Sequence, residues 1–266
     1  MISDHFREIG DCVVSIAGVR LGPETPPEYA LLNRPGDVVE IEVECGGEVK
    51  KYLVKTVRDE KYLVYRHWVE KNRYHVHEKT GGAVGYVHIP DMGPAGYAEF
   101  FKSLNSEGDK EAFVVDIRYN RGGHTSGMLI LRAVTGVFAK FVTRHFKPYP
   151  YPEYVLPRRL VLVTNEHAGS DGDIFTYDFK RLKLGPVVGK RTWGGTVGID
   201  TRYKLVDGTI ITQPKYAFWA DDLGPGIEGR GVEPDVEVDI APQDYREGRD
   251  PQLDKAIETV KNFTKG

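Results

Sequence analysis

Short apolar runs separated by turn residues open the chain. CVVSIAGV (12–19), DVVEIEVE (37–44) and VKKYLVKTV (49–57) are broken by Asn33-Arg34-Pro35-Gly36-Asp37 and by Gly46-Gly47. Alternation at a period of two marks strands, so residues 1–57 are predicted to form a small β module with a short helix in PPEYALLNRPGD (26–37). Residues 58–82, rich in charge and aromatics, are predicted to be a connector with helical and extended portions. The pattern then changes. Continuous apolar runs (GAVGYVHIP, AFVVDIR, RRLVLVTN, GPVVGKR) alternate with segments of helical period (PAGYAEFFKSL, GMLILRAVTGVF, GDIFTYDFKRL). This βα order predicts an α/β domain over 83–266 with a largely parallel sheet and its chemistry in loops at strand C-terminal ends. VDGTIITQPKYAFW (206–219) reads as a hairpin, and DPQLDKAIETVKNF (250–263) as a closing helix started by Asp250 and Pro251.

Composition narrows the function classes. Hydrophobic residues make up 40% and charged residues 28% of the 266, so the chain can bury a core. With 36 basic and 39 acidic residues and no long Lys/Arg run, it offers no phosphate-neutralising face, and nucleic acid is not an expected partner. No apolar stretch reaches the length that spans a bilayer, and MISDHFREIG lacks the basic-then-apolar order of a signal peptide; no membrane partner and a cytoplasmic location are expected. Cys12 and Cys45 have no metal-ligand spacing, which disfavours a cysteine nucleophile or a disulfide framework.

Two glycine-rich turns carry the candidate chemistry. In NEHAGSDGDIFTYDF (165–179), Ser170 follows a strand-like run and opens a helix. Ser170 and Asp173 stand at capping-box positions. The same turn would expose the Ser170 hydroxyl beside unpaired N–H groups at the positive helix end, where an oxyanion is stabilised, so capping and catalysis are compatible readings. In DIRYNRGGHTSG (116–127) a second glycine pair also follows a strand and opens a helix. That is either a plain turn or an N–H donor unobstructed by a side chain.

At this density of motifs the sequence resembles a known family, the tricorn proteases, relatives of the tail-specific (carboxyl-terminal processing) serine peptidases. The resemblance rests on GYVHIPDM (85–92), DIRYNRGGHTSG, TNEHAGSDGD (164–173), GKRTWGGTVGI (189–199), DGTIITQPKYAFW (207–219), GIEGRGVEPDVEV (226–238) and DPQLDKAI (250–257). GDCVVSIAGVRL (10–21) is similar to the second half of a PDZ domain. The resemblance implies a ClpP/crotonase-like α/β catalytic core preceded by a partial, PDZ-like β module. It implies Ser170 as nucleophile, the N–H groups of Gly123 and Asp171 as oxyanion hole, and Glu228 as indirect support for the catalytic histidine through a serine hydroxyl. It implies, too, that Gly198 and Ile199 lie on a strand edge along which peptide substrates pair. No metal or cofactor is implied. The family forms hexameric rings, so a homo-oligomer or a complementing N-terminal chain is the expected partner.

The general base is the gap. The family's histidine follows a serine in a segment ahead of the PDZ module, whereas this sequence begins inside that module and contains no Ser-His pair. His124 and His167 are the nearest alternatives in sequence. His75 and His77, as H-x-H, could face one metal but lack companion ligands and read as solvated connector residues. His5, His67, His88 and His145 have no arguable partner. Where the family places an acid to receive a basic substrate side chain, counting back puts Phe141, which predicts an apolar or mixed preference. Two other classes compete: a non-catalytic binding or assembly module, and acyl-CoA chemistry on a crotonase-like fold. Against the latter, nothing suggests an adenine-nucleotide site.

Overall fold

The structure, a computed structural model, describes residues 10–264 except Tyr154 and Arg158. The N-terminal stretch read for targeting, with His5, lies outside the described residues. The chain divides into two compact units, one up to Trp68 and one from Val69 onward.

The first unit contains β1 (Cys12–Ile16), β2 (Val19–Arg20), α1 (Pro27–Ala30), β3 (Val38–Cys45) and β4 (Glu48–Lys55) in an antiparallel sheet of order β2-β1-β3-β4. Alternation on β3 turns Val39, Ile41 and Val43 inward, where they pack with Ile16 and Ala30. Helix α2 (Lys61–Thr80) carries the chain across the division. It is one continuous 20-residue helix, not the mixed connector expected. It buries only the narrow stripe Val69, Asn72 and Val76, and so thin an apolar signal among charges hides the helical period.

The second unit contains β5 (Val84–His88), α3 (Pro94–Glu107), β6 (Ala112–Asp116), α4 (Ser126–Val134), β7 (Ala139–Phe141), β8 (Tyr149–Tyr151) and β9 (Leu160–Thr164). There follow α5 (Asp171–Arg181), β10 (Val187–Gly189), β11 (Gly198–Asp200), β12 (Gln213–Tyr216), β13 (Val236–Glu237), α6 (Pro242–Glu247) and α7 (Pro251–Thr264). As predicted, the fold is α/β: a parallel sheet of order β13-β10-β9-β6-β5. Every residue of β5, β6, β9 and β10 is buried, which a sheet covered on both faces requires. Phe100 and Leu104 of α3, Leu129 and Ile130 of α4, and Phe175 and Phe179 of α5 pack with Phe113, Val115, Leu160 and Leu162. On the opposite side chains of β5 and β6, Tyr86 donates to Asp116 at 2.9 Å and Arg118 pairs with Asp116 and with Asp250, just ahead of α7. Burial pushes the Asp116 carboxyl up, but the Arg118 guanidinium holds it below its ordinary value. Asp250 also accepts the Leu253 N–H at 2.9 Å, capping α7 where the sequence placed its start.

Two further expectations change. Helix α4 ends at Val134, and the chain goes on into an unforeseen β7–β8 hairpin. The expected 206–219 hairpin is displaced: the turn closes between Tyr203–Leu205 and Thr209–Ile211, with a bridge at Lys204–Ile210, and β12 pairs with β11.

Helix α5 carries one electrostatic liability. Asp178 stands two turns after Asp171, and burial together with the Asp171 charge raises its pKa to about 6. A carboxyl raised in the fold is favoured when protonated, so its contribution is full below the unfolded value and lost as pH rises towards 6. Asp178→Asn is expected to stabilise the protein at pH 7 by about 1 kcal/mol, after allowance for solvent screening, and to have no effect at pH 3. Chemical denaturation at the two pH values checks it.

Candidate active site

The C-terminal ends of β5, β6, β9 and β10, adjacent in the sheet, release the loops that build the site. The loop after β6 is stitched to the segment after β5. Met92 N–H donates to Gly122 O at 2.7 Å, and the N–H groups of His124 and Thr125 donate to Met92 O at 2.7 and 3.0 Å. Gly123 lies between them at φ +153°, where an added Cβ would come within 1.9 Å of Met92 O. Only glycine fits. The Gly123 N–H has no hydrogen-bond partner among the described residues, and neither has the N–H of Asp171.

The turn after β9 carries Ser170 at φ 57°, ψ −119°, at the N-cap position of α5. This sparsely populated conformation turns a strand sharply into a helix, and Ser170 lines a cavity beside the turn. Ser170 makes no side-chain cap hydrogen bond, so the capping half of the dual reading is corrected: the position is a cap, but the side chain does not serve as one. Gly122 explains how it fits, since a Cβ there would lie 2.5 Å from the Ser170 Cβ.

Asp171 has its own anchor. Its buried carboxylate accepts the Ser126 N–H at 3.0 Å and the Ser126 hydroxyl, capping α4 from across the α4–α5 interface and fixing the Asp171 main chain. Asp173 is fully buried; its carboxylate accepts the Gly194 N–H at 2.8 Å. Burial pushes its pKa up against the Thr192 hydroxyl and the N–H groups of Gly194, Ser170 and Gly195. Only the reach back to Ser170 was visible as a capping box; the long-range tie to the loop after β10 was not.

That loop forms the facing wall. Trp193 donates its N–H to Ala168 O at 2.9 Å, and its ring lies across Gly169 with 64% of the residue exposed. Glu228 Oε2 accepts the Thr196 N–H (2.6 Å), the Thr196 hydroxyl (2.9 Å) and the Val197 N–H (2.9 Å). Burial raises the Glu228 carboxyl, yet these donors hold it below its ordinary value, so it is ionised at neutral pH. Gly198 begins β11, with the Tyr216 ring against it, and among the described residues β11 pairs with β12 on one side only.

All six site residues implied by the family resemblance, Ser170, Asp171, Gly123, Glu228, Gly198 and Ile199, line one cavity of about 500 Å³. Arg121, His124, Ile174, Trp193 and Tyr216 line it too, and sequence reasoning gave them no role there except His124 as an alternative base. His124 Nδ1 is 3.2 Å from the Tyr216 hydroxyl. His167 stacks on Tyr119 and does not line the cavity. His75 and His77 lie on a helix and face different partners, Asp254 at 2.6 Å and Glu107 at 2.9 Å. His88 also has a partner, the Arg118 carbonyl at 2.9 Å, and burial pushes its pKa down. Among the described residues no three potential ligands converge on a metal site. Phe141 packs against Tyr149 and Tyr151 in the β7–β8 hairpin and does not line the cavity.

A serine hydroxyl that shares a cavity with two unpartnered main-chain donors, on this α/β fold, brings together the groups that acyl transfer by serine peptidases uses. Residues 83–238 match Peptidase family S41, and the chain belongs to that family. It is 48% identical over 250 residues to a tricorn protease homolog of Saccharolobus solfataricus, covering 94% of this chain and 23% of that protein. It is 46% identical over 252 residues to a tricorn-like protease C-terminal subunit of Sulfurisphaera tokodaii, covering 94% of this chain and 29% of the relative. The crystal structure of the tricorn protease superposes with a TM-score of 0.91 at 39% identity, over 97% of this chain and 25% of that one. The chain thus spans about a quarter of the length of these relatives.

Proposed function

We propose that the chain is the C-terminal part of a tricorn-like serine endopeptidase, with its general base supplied by an N-terminal segment or a partner chain outside these 266 residues. One observation carries this reading: Ser170 and the unpartnered N–H groups of Gly123 and Asp171 share a cavity in which no histidine among the described residues is bonded to the serine. His124, the lining histidine, is turned to Tyr216. On this reading Ser170 attacks the scissile carbonyl as the incoming histidine takes its proton. The two N–H groups hold the oxyanion, the histidine protonates the leaving amine, and water then releases the acyl-enzyme. Glu228, ionised and with Oε1 unpartnered among the described residues, is the group that would orient the incoming histidine through an intervening hydroxyl.

Peptide substrates would pair in extended form with the open edge of β11 at Gly198 and Ile199. An apolar or mixed side-chain preference is supported by Ile174, Trp193 and Ile199 on the cavity wall; Phe141 is not among the lining residues. A PDZ-like role for the first unit, a cytoplasmic location and assembly with further chains belong to the same proposal. Exposed Phe138, Val142 and Phe146 around the β7–β8 hairpin are apolar surface suited to such assembly.

The test is a fluorogenic peptidase assay of the chain alone and mixed with the segment encoding the Ser-His motif. Little or no turnover is expected alone, and Ser170-dependent cleavage, faster for apolar than basic peptides, in the mixture. Substantial Ser170-dependent activity from the chain alone would place the base within it.

A further inference from the structure

We infer that Asn120 is a positioning residue that sets the spacing between the nucleophile turn and the oxyanion loop; this rests on the roles proposed for Ser170 and Gly123. Asn120 is fully buried in the loop after β6, and each of its four polar groups is hydrogen-bonded to a different residue. Its N–H donates to Ile117 O at 3.1 Å, closing the turn out of β6. Its main-chain carbonyl accepts the Gly169 N–H at 3.0 Å, one residue before Ser170. Its side-chain Oδ1 accepts the Gly122 N–H at 2.8 Å, one residue before Gly123. Its Nδ2 donates to Ile89 O at 2.8 Å, in the segment to which the oxyanion loop is stitched. Gly172 leaves room on the remaining side, where a Cβ would lie 3.1 Å from Oδ1.

The chemistry singles out an amide. One side must accept an N–H and the other must donate to a carbonyl, so Asn cannot flip without losing both bonds, and no other side chain of this size offers both groups in one plane. Aspartate keeps the acceptor for Gly122 but sets a second oxygen against Ile89 O; alanine removes both and leaves two buried groups unsatisfied. The residue does not line the cavity, so it acts through the loops it ties. A displacement of the Gly123 N–H by a fraction of an ångström weakens a bond made fully only to the developing oxyanion, which lowers kcat more than it raises KM.

The experiment uses Asn120→Asp, with Asn120→Ala as second variant, in the mixture of this chain and the base-supplying segment, alongside Ser170→Ala. Amide hydrogen exchange at Gly122 and Gly169 is read in parallel on the chain itself. For Asn120→Asp the expected result is exchange at least about tenfold faster at both amides together, with the β6–β9 ladder unchanged. A kcat at least about tenfold lower with KM within about twofold is expected at neutral pH. The kcat deficit should narrow as pH falls and the introduced carboxyl, once protonated, donates to Ile89 O, a recovery that Asn120→Ala cannot show. Unchanged exchange at either glycine overturns the inference, and so does faster exchange with unaltered kcat. If the wild-type mixture shows no Ser170-dependent turnover, the peptidase reading has failed by itself, and the exchange measurement alone decides whether Asn120 ties the two loops.

Discussion

Ser170→Ala is expected to lower peptide hydrolysis by the chain mixed with the proposed base-supplying segment at least about a thousandfold while leaving the melting temperature nearly unchanged. The two halves of this result separate the roles a serine can have at a helix start. A capping hydroxyl, when removed, costs about 0.5–2 kcal/mol of stability. The Ser170 side chain makes no cap bond, so alanine forfeits nothing of that kind. Its backbone at φ 57°, ψ −119° is strained for any residue with a Cβ, and Ser170→Gly should therefore raise stability by about 1 kcal/mol while being equally inactive. A variant more stable and inactive is the signature of a turn held in tension for chemistry. Loss of stability with retained hydrolysis would return Ser170 to the cap.

Gly123→Ala is expected to reduce kcat/KM by about a hundredfold or more and to destabilise the chain by about 1–3 kcal/mol. Both effects have one cause. The added methyl would fall 1.9 Å from Met92 O and 2.1 Å from Met92 C, so the loop after β6 must retreat from the segment after β5. Retreat breaks the bonds from His124 and Thr125 to Met92 O and displaces the Gly123 N–H, the proposed oxyanion donor, within the cavity it shares with Asp171. Steady-state kinetics and denaturant unfolding of the same preparation measure the two together. Full activity in a destabilised variant would show that the donor lies elsewhere in the loop.

Legibility in the sequence followed the range of the interactions. Strands such as AFVVD and LVLVT are buried on both faces and stand out as unbroken apolar runs, so the parallel sheet could be read directly. Ser170 and Gly123 were visible because each follows such a run and precedes a helix. What a residue does there was less visible, because it depends on partners far along the chain. Asp171 is 45 residues from Ser126, and Asp173 is 21 from Gly194, yet these bonds decide that one carboxylate anchors α4 and the other binds the loop after β10. The strain at Ser170 is likewise tertiary, imposed where Gly122 admits its Cβ. The β11–β12 pairing was missed for a plainer reason. Three residues pair with four across a register shift, while the nearer 204–210 segment offers a more obvious partner in sequence. Helix α2 buries three residues in twenty, too few for periodicity to declare it.

The proposed function comes down to geometry: the Ser170 oxygen and the N–H groups of Gly123 and Asp171 would have to converge on one reacting centre. A crystal structure of the assembled enzyme treated with a peptide boronate tests it most directly. The account predicts a covalent bond from Ser170 Oγ to boron, with one boronate oxygen about 3 Å from both nitrogens. An adduct on another side chain, or one on Ser170 whose oxygens all point to solvent, would contradict it.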